Sequence, residues 1–473
     1  MNNSSFNLIT ATDSYKFSHW LQFPKNSEAM FSYIESRGGK YKETVMFGLR
    51  YIIQNFISKP ITQNNINKAE KLCKFQGIPF NKEGWQYILE KYNGYIPVKI
   101  KAIPEGSPVN TSTVLATIES TDPKVFWVVG HIEPMLLRLW YPTTVATLAR
   151  EIKKIIKPYV DETSDNPESL DFKLVDFGAR AATSHESAGI AGMSHLVSFC
   201  ATDTMEGIET VMDTYDTIDF IAGSIPASEH STITSWGRSN EVDAYSNMID
   251  QFGDENSKYY NPMYACVSDA YDIFNAVNNI WGKQLKNKLL NTTGKLIVRP
   301  DSGNPLEMVK FCLESLDNTF GHTINSKGYK VINKCSVIQG DGVGCEEIKE
   351  ILEYMKQAKY STDNISFGMG GALHQKDINR DTQKFALKCS AIKLDGQWQN
   401  VYKDPITDKG KVSKKGLLDV VYNETEEKYI TLTEGKTPEE VDKKSELVLF
   451  YENGTTFFTE NDSFQNVKIR ASV

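Results

Sequence analysis

Two kinds of apolar spacing alternate along the first third of the chain. Residues 44–57 and 83–92 carry apolar side chains at helical intervals, whereas 95–103 and 114–118 are short, β-branched and bounded by Pro, Gly and Asp, as strands are. From 125 to 159 the spacing is helical again. Breaks are expected near Pro134 and Pro142, because proline lacks a backbone donor and crowds the preceding turn. The polar stretch 161–171, which contains Pro167, is the expected domain boundary.

Beyond it a unit repeats: a short apolar run, a polar or glycine-rich loop, then usually a helical pattern. The runs are 172–175, 196–200, 218–222, 264–267, 296–298, 337–339 and 365–367, and helices are clearest at 270–281, 305–316 and 346–357. Strand–loop–helix repetition implies parallel strands joined by crossover helices. Seven such units in roughly 220 residues fit a (β/α)₈ barrel better than an open doubly wound sheet. After Lys388 the pattern is strand-like, at 391–394, 417–422, 429–432 and 447–450, with no eighth unit. The predicted fold class is α/β. A (β/α) barrel-like catalytic domain spans 166–388, and a second, mixed α+β domain is built from 1–165 and a β-rich C-terminal segment, 389–473.

Composition narrows the function more than the fold. The 52 basic and 60 acidic residues leave a net charge of -8, so the chain has no general attraction for nucleic acid or an anionic membrane. Any polyanion must be gripped by local Arg and Lys. The seven cysteines are scattered without a C-x-x-C pair, which argues against a disulfide framework or a zinc site and suits a reducing, cytoplasmic setting. The N-terminus lacks signal-peptide character, and the apolar stretch 125–140 is interrupted by His131, Glu133 and Arg138, so no membrane span is expected.

The chemistry-bearing residues fall after the predicted strands, where a barrel places its active site. Gly340-Asp341-Gly342-Val343-Gly344 and Gly368-Met369-Gly370-Gly371 are loops that let backbone N–H groups approach phosphate oxygens, although glycine turns are common between strands and helices. Neither fits the G-x-x-x-x-G-K-[ST] or G-x-G-x-x-G pattern, which disfavours a P-loop kinase or a Rossmann dehydrogenase. Positive charge is available from Arg180, Arg299, Arg380, Lys388, Lys403 and Lys411. His230, in Ser-Glu-His-Ser-Thr, is either a structural histidine or an acceptor of a proton or phosphoryl group. Asp269 is either a helix N-cap or the carboxylate that orients His230. Phe177, in Asp-Phe-Gly-Ala-Arg, is either core or a stacking platform for a flat base, with Asp203 free to accept a hydrogen bond from a base substituent.

These motifs resemble the nicotinamide phosphoribosyltransferase family, a group of type II phosphoribosyltransferases. The likeness runs nearly end to end: Ala-Thr-Asp-Ser-Tyr-Lys from Ala11, Ser-Tyr-Ile-Glu-Ser-Arg ending at Arg37, Trp-Gln-Tyr-Ile-Leu-Glu-Lys-Tyr from Trp85, Asp176-Phe177-Gly178, Glu-His-Ser-Thr-Ile-Thr from Glu229, Ile-Val-Arg-Pro-Asp-Ser-Gly-Asn-Pro from Ile297, Val-Ile-Gln-Gly-Asp-Gly from Val337, and Ser-Lys-Lys-Gly from Ser413. The resemblance implies transfer of the phosphoribosyl group of 5-phosphoribosyl 1-pyrophosphate to nicotinamide, giving nicotinamide mononucleotide and pyrophosphate in NAD salvage. It implies a homodimer with shared active sites, in which Phe177 stacks on one face of nicotinamide and Tyr15 of the partner subunit on the other, with Asp13 beside Tyr15 at the interface. Asp203 would accept the carboxamide N–H, with Arg180 and Arg299 around the base and ribose phosphate and Asp301 on the ribose hydroxyls. Gly340, Asp341, Gly370 and Gly371 would follow the 5-phosphate and sugar, and Arg37, Arg380, Lys388, Lys403 and Lys411 the pyrophosphate and nucleotide phosphates. ATP would act as a coupling substrate through phosphorylation of His230, oriented by Asp269, with Mg²⁺ carried on pyrophosphate or ATP and no metal site of the protein's own. Three features depart from the family pattern: Ala265 and Ala386 stand where animal relatives are expected to carry hydroxyls, the loop after Arg37 is short, and 377–379 holds one extra residue. Rival readings are a nicotinate phosphoribosyltransferase and a non-catalytic dimeric binding or signalling protein on the same fold.

Overall fold

The computed structural model describes residues 6–407 and 412–473. The described residues of 1–147, 212–217 and 378–472 form one compact unit, and 148–211 and 218–377, with Val473, form another.

The first unit is built on a seven-stranded sheet in the order Gln397–Asn400, Phe385–Leu394, Ser27–Ser36, Val114–Ser120, Val98–Ala102, Val448–Glu452, Thr455–Thr456. Every neighbouring pair is antiparallel, and three central strands from the N-terminal part are flanked on each side by two strands from the C-terminal part. In Val98–Ala102 the pleat buries Val98, Ile100 and Ala102 while Lys99 and Lys101 lie on the other face. Helices Gln63–Gln76 and Lys82–Lys91 belong to the same unit, and Trp85 and Ile88 enter its core. Residues 44–57 are not one helix. They form strand Glu43–Val45, a turn at Gly48 with φ +95°, and then the helical turns Leu49–Ile52 and Ile53–Ile57.

The boundary differs from the sequence expectation. The chain leaves the first unit inside the helix Trp140–Thr163, which runs on past Pro142 and Pro158, whereas the polar stretch around Pro167 is a short helical turn within the second unit. At the other end the change falls at 377/378, because strand Phe385–Leu394 pairs along its length with Ser27–Ser36. The short segment 212–217 joins the first unit through Tyr215. Its ring stacks on Phe47 at 6.4 Å, lies under the Arg50 guanidinium at 4.7 Å, and its hydroxyl donates to Glu105 at 2.6 Å.

The second unit holds a parallel sheet ordered Leu174–Asp176, Ile365–Met369, Cys335–Gln339, Lys295–Arg299, Met263–Val267. Single parallel bridges carry the ring onward: Asp176 to Thr202, Ala201 to Gly223, and Ala227 to Ala265 of the far strand. The barrel therefore closes on seven staves, two of them irregular. The apolar runs 196–200 and 218–222 are not strands, and the bridging residues lie just after each. Leu196 and Phe199 are buried because they continue the turn at the end of helix His185–His195, and Ile218 and Phe220 are exposed. An apolar run of five residues reports burial or hydrophobicity without distinguishing strand from turn. Ala265, Ile297 and Ile338 fill the barrel interior with Val175, Phe177 and Ile225 packed on them.

Candidate active site

The loops after six of the seven staves line one cavity of about 860 Å³, and the loop after Met263–Val267 stays outside it. Phe177, Arg180, Asp203, Arg299, Asp301, Gly340, Asp341, Gly370 and Gly371 all face it, so nine residues chosen from sequence meet at one place.

Phe177 follows the stave Leu174–Asp176, and its N–H donates to the Met369 carbonyl at 3.0 Å. Beneath the loop, Asp176 and His374 are wholly buried and 2.9 Å apart, and Asp176 also accepts the Gly178 N–H at 2.7 Å. Against the penalty of burial, His374 and that N–H hold the Asp176 carboxyl below its ordinary range. The Phe177 ring rests on Gly340 and Gly368: a Cβ on Gly368 would stand 1.9 Å from the ring's Cε2, and one on Gly340 2.8 Å. The ring is thus partly core and partly cavity wall.

Asp203 is held by its backbone N–H on the Asp176 carbonyl at 2.9 Å, and its carboxylate accepts the Ser224 hydroxyl. Desolvation in the cavity, helped by the negative charge of Asp176, raises the Asp203 pKa despite Ser224 and Arg299. Arg299 donates to Asp301 at 3.1 Å, and its buried Nε has no partner among the described residues.

His230 opens the helical turn His230–Thr234. Its Nε2 lies 3.1 Å from Asp269 and its Nδ1 3.8 Å from Asp301. The Asp269 side chain is 4% exposed, and its other oxygen accepts the Asp301 N–H at 3.0 Å and the Ser302 hydroxyl. Asp269 is therefore not the cap of the next helix. Asp272 fills that role, accepting the N–H groups of Phe274 and Asn275. His230 itself is not part of the cavity wall, although its neighbours Glu229 and Asp301 are.

A second cavity, of about 590 Å³, lies in the first unit and is lined by Arg37, Arg380, Lys388 and Lys403 together with Ala386 and Ser413. Arg37 Nε pairs with Glu35 at 2.8 Å, while its buried Nη2 has no partner among the described residues. Lys411 lies outside the described residues. Tyr15 is 61% exposed, and neither it nor Asp13 lines either cavity. Sequence reading missed Glu229, Glu347 and Lys376 in the barrel cavity and Lys384 in the basic one. Glu229 was flagged only by its adjacency to His230, and Lys376 only by lying five residues past Gly371.

A cavity that joins an aromatic ring, a carboxylate and glycine loops suits a phosphoribosyltransferase acting on a flat base. Residues 172–443 match the model of the nicotinate phosphoribosyltransferase (NAPRTase) family, and residues 7–100 match the nicotinamide phosphoribosyltransferase N-terminal domain. A relative named nicotinamide phosphoribosyltransferase from Xanthomonas campestris pv. campestris is 48% identical over 451 residues, covering 95% of each chain. Another of that name, from Mycoplasma pneumoniae, is 32% identical and covers 88% of this chain and 96% of its own. A solved nicotinate-nucleotide pyrophosphorylase from Pyrococcus furiosus has a TM-score of 0.63 at 16% identity, covering 100% of this chain and 96% of that one. Human nicotinic acid phosphoribosyltransferase has a TM-score of 0.55 at 13% identity, covering 97% and 92%. At such identities the solved structures speak for the fold alone. The chain belongs to the nicotinate phosphoribosyltransferase family, and within it to the group of relatives named for nicotinamide.

Proposed function

We propose that the chain joins nicotinamide to 5-phosphoribosyl 1-pyrophosphate, forming nicotinamide mononucleotide and pyrophosphate for NAD biosynthesis. The observation that carries this reading is Asp203, whose carboxylate shares a cavity with the Phe177 ring. A carboxylate accepts an amide N–H and repels a second carboxylate, which favours nicotinamide over nicotinate. The pyridine nitrogen attacks the anomeric carbon, and the bond to pyrophosphate breaks with its electron pair leaving on the diphosphate. Positive charge grows on the sugar as negative charge grows on the leaving group, so the work is positioning and electrostatic stabilisation, with no protein nucleophile. Arg299 and Asp301 would hold the sugar and its phosphate, and the glycine loops would take the 5-phosphate.

His230, held between Asp269 and Asp301, is proposed to accept the terminal phosphoryl group of ATP, coupling ATP hydrolysis to synthesis. Mg²⁺ is proposed to enter on the diphosphate or ATP oxygens. Among the described residues no group of three or more His, Cys, Asp or Glu is set to hold a metal. A homodimer is proposed, with Tyr15 of the partner subunit covering the second face of the base. The exposure of Tyr15 supports this; its ring meets the His19 ring edge-on and lies under the Lys16 ammonium. The basic cavity around Arg37, Arg380, Lys388 and Lys403 is assigned to pyrophosphate and nucleotide phosphates. A cytoplasmic setting is proposed, supported by the free thiols of Cys73, Cys200, Cys266, Cys312, Cys335 and Cys389; among the described residues no helix is long and apolar enough to cross a membrane.

The test is a substrate panel of nicotinamide, nicotinate and quinolinate with 5-phosphoribosyl 1-pyrophosphate and Mg²⁺, with and without ATP. Nicotinamide mononucleotide should dominate. Equal turnover of nicotinate would overturn the base assignment, and no turnover of any base would favour a non-catalytic role.

A further inference from the structure

One cation in the barrel cavity has no role in the reading above. Lys376 lines the cavity beside Gly370 and Gly371, although it lies beyond the turn Gly371–His374. Its backbone N–H returns to the Gly371 carbonyl at 2.8 Å, and that of Gln375 reaches the same oxygen at 2.9 Å. These bonds close the C-terminal end of the helical turn and hold the root of Lys376 next to the glycine loop. At Gly371 a Cβ would meet only the Ala181 side chain, at 3.8 Å, so the loop presents bare backbone.

In the lining, the carboxylates of Asp203, Glu229, Asp301, Asp341 and Glu347 face three cations: Arg299, which is paired with Asp301, Arg180 on the turn Ala179–Ala181, and Lys376 beside the glycine loop. Lys376 is exposed and makes no ion pair with any described residue. A phosphate dianion bound by backbone N–H groups among so many carboxylates needs a compensating cation at the same end. An ammonium suits that task because it is a point charge with three rotatable donors.

We infer that Lys376 is a side-chain ligand of the sugar's 5-phosphate, closing a cradle made by 340–344 and 370–371. The inference rests on the proposed phosphoribosyl transfer. Lys376 touches neither the base nor the breaking bond, so it sets affinity for the phosphorylated sugar and leaves base recognition alone.

The test titrates the full chain, as wild type, Lys376→Met and Lys376→Arg, with nicotinamide mononucleotide, nicotinamide riboside (which lacks the 5-phosphate) and ribose 5-phosphate (which lacks the base). Lys376→Met should weaken the mononucleotide and ribose 5-phosphate by roughly tenfold or more and leave the riboside within about twofold, and Lys376→Arg should recover most of the loss. An unchanged affinity for ribose 5-phosphate, or an equal loss for the riboside, overturns the inference. If the pyridine compounds fail to bind wild type, the base assignment falls, while ribose 5-phosphate still tests Lys376.

Discussion

Phe177 lies so close to Gly368 that a single methyl on that glycine would stand 1.9 Å from the ring's Cε2. No rotamer change of a methyl can relieve such an approach, so either the ring or the strand must move. Gly368→Ala should cost about 1–3 kcal/mol in stability and raise KM for nicotinamide roughly tenfold or more. Thermal melting and steady-state kinetics check both. A variant with unchanged KM for nicotinamide would mean that the ring is core only.

Asp203 should govern the choice of base. Asp203→Ser is expected to raise the ratio of nicotinate to nicotinamide kcat/KM by roughly tenfold or more, because the repelling charge is gone. The raised pKa adds a pH signature with a definite sign. As pH falls through it, the carboxylate takes a proton, loses its pull on the amide donor and stops repelling nicotinate. Wild-type discrimination should therefore narrow on the acid side, beginning at a higher pH than for an ordinary aspartate, whereas the serine variant should lack that step. Competition between the two bases from pH 8 down to about 5 measures it.

His230→Ala should abolish ATP stimulation of synthesis and remove any acid-labile phosphate label, while leaving slower ATP-independent synthesis. Asp269→Asn should reduce the stimulation roughly tenfold or more, since the imidazole loses the carboxylate 3.1 Å away that orients it. Full ATP stimulation in His230→Ala would remove the histidine from the coupling step.

Lys173 offers a test in which stability changes with pH. It is buried, donates to the carbonyls of Thr362 at 2.6 Å and Ile365 at 3.2 Å, and burial lowers its pKa to about 8. Its pKa is depressed on folding, so between about 8 and the ordinary lysine value of about 10.4 the unfolded chain binds more protons than the folded one. The lysine's contribution to stability should rise with pH across that window. Urea unfolding at pH 7, 8 and 9.5 should show wild type gaining on Lys173→Met by as much as a few kcal/mol, provided unfolding stays two-state. A pH-independent difference would show that Lys173 keeps the ordinary lysine pKa in the folded chain, as a solvated ammonium would.

Much of the site was legible because its residues sit in loops directly after apolar runs. His230 and Asp269 are 39 positions apart, yet each follows a barrel stave, and staves place their following loops on one face. The same logic brought Asp203, Arg299 and Gly340 together. It failed where an apolar run had another reason to exist: Leu196 and Phe199 are buried in a turn, and Ile218 and Phe220 are exposed. The unit boundary was illegible because helix Trp140–Thr163 runs through it unbroken. Lys376 was missed because its place in the cavity depends on how the short helical turn Gly371–His374 ends on the Gly371 carbonyl, which apolar spacing does not report.

By itself, the order of residues determined the alternation of strand and helix, the chemistry carried in each loop, and the family. Those are local properties, set by which side chains prefer burial and which backbones can turn. The tertiary structure decided that the barrel closes on seven staves, that Phe177 rests against Gly368, and that Asp269 serves His230 rather than a helix end. Periodicity reveals that a face is buried but not what is buried against it, and a site is made of such meetings.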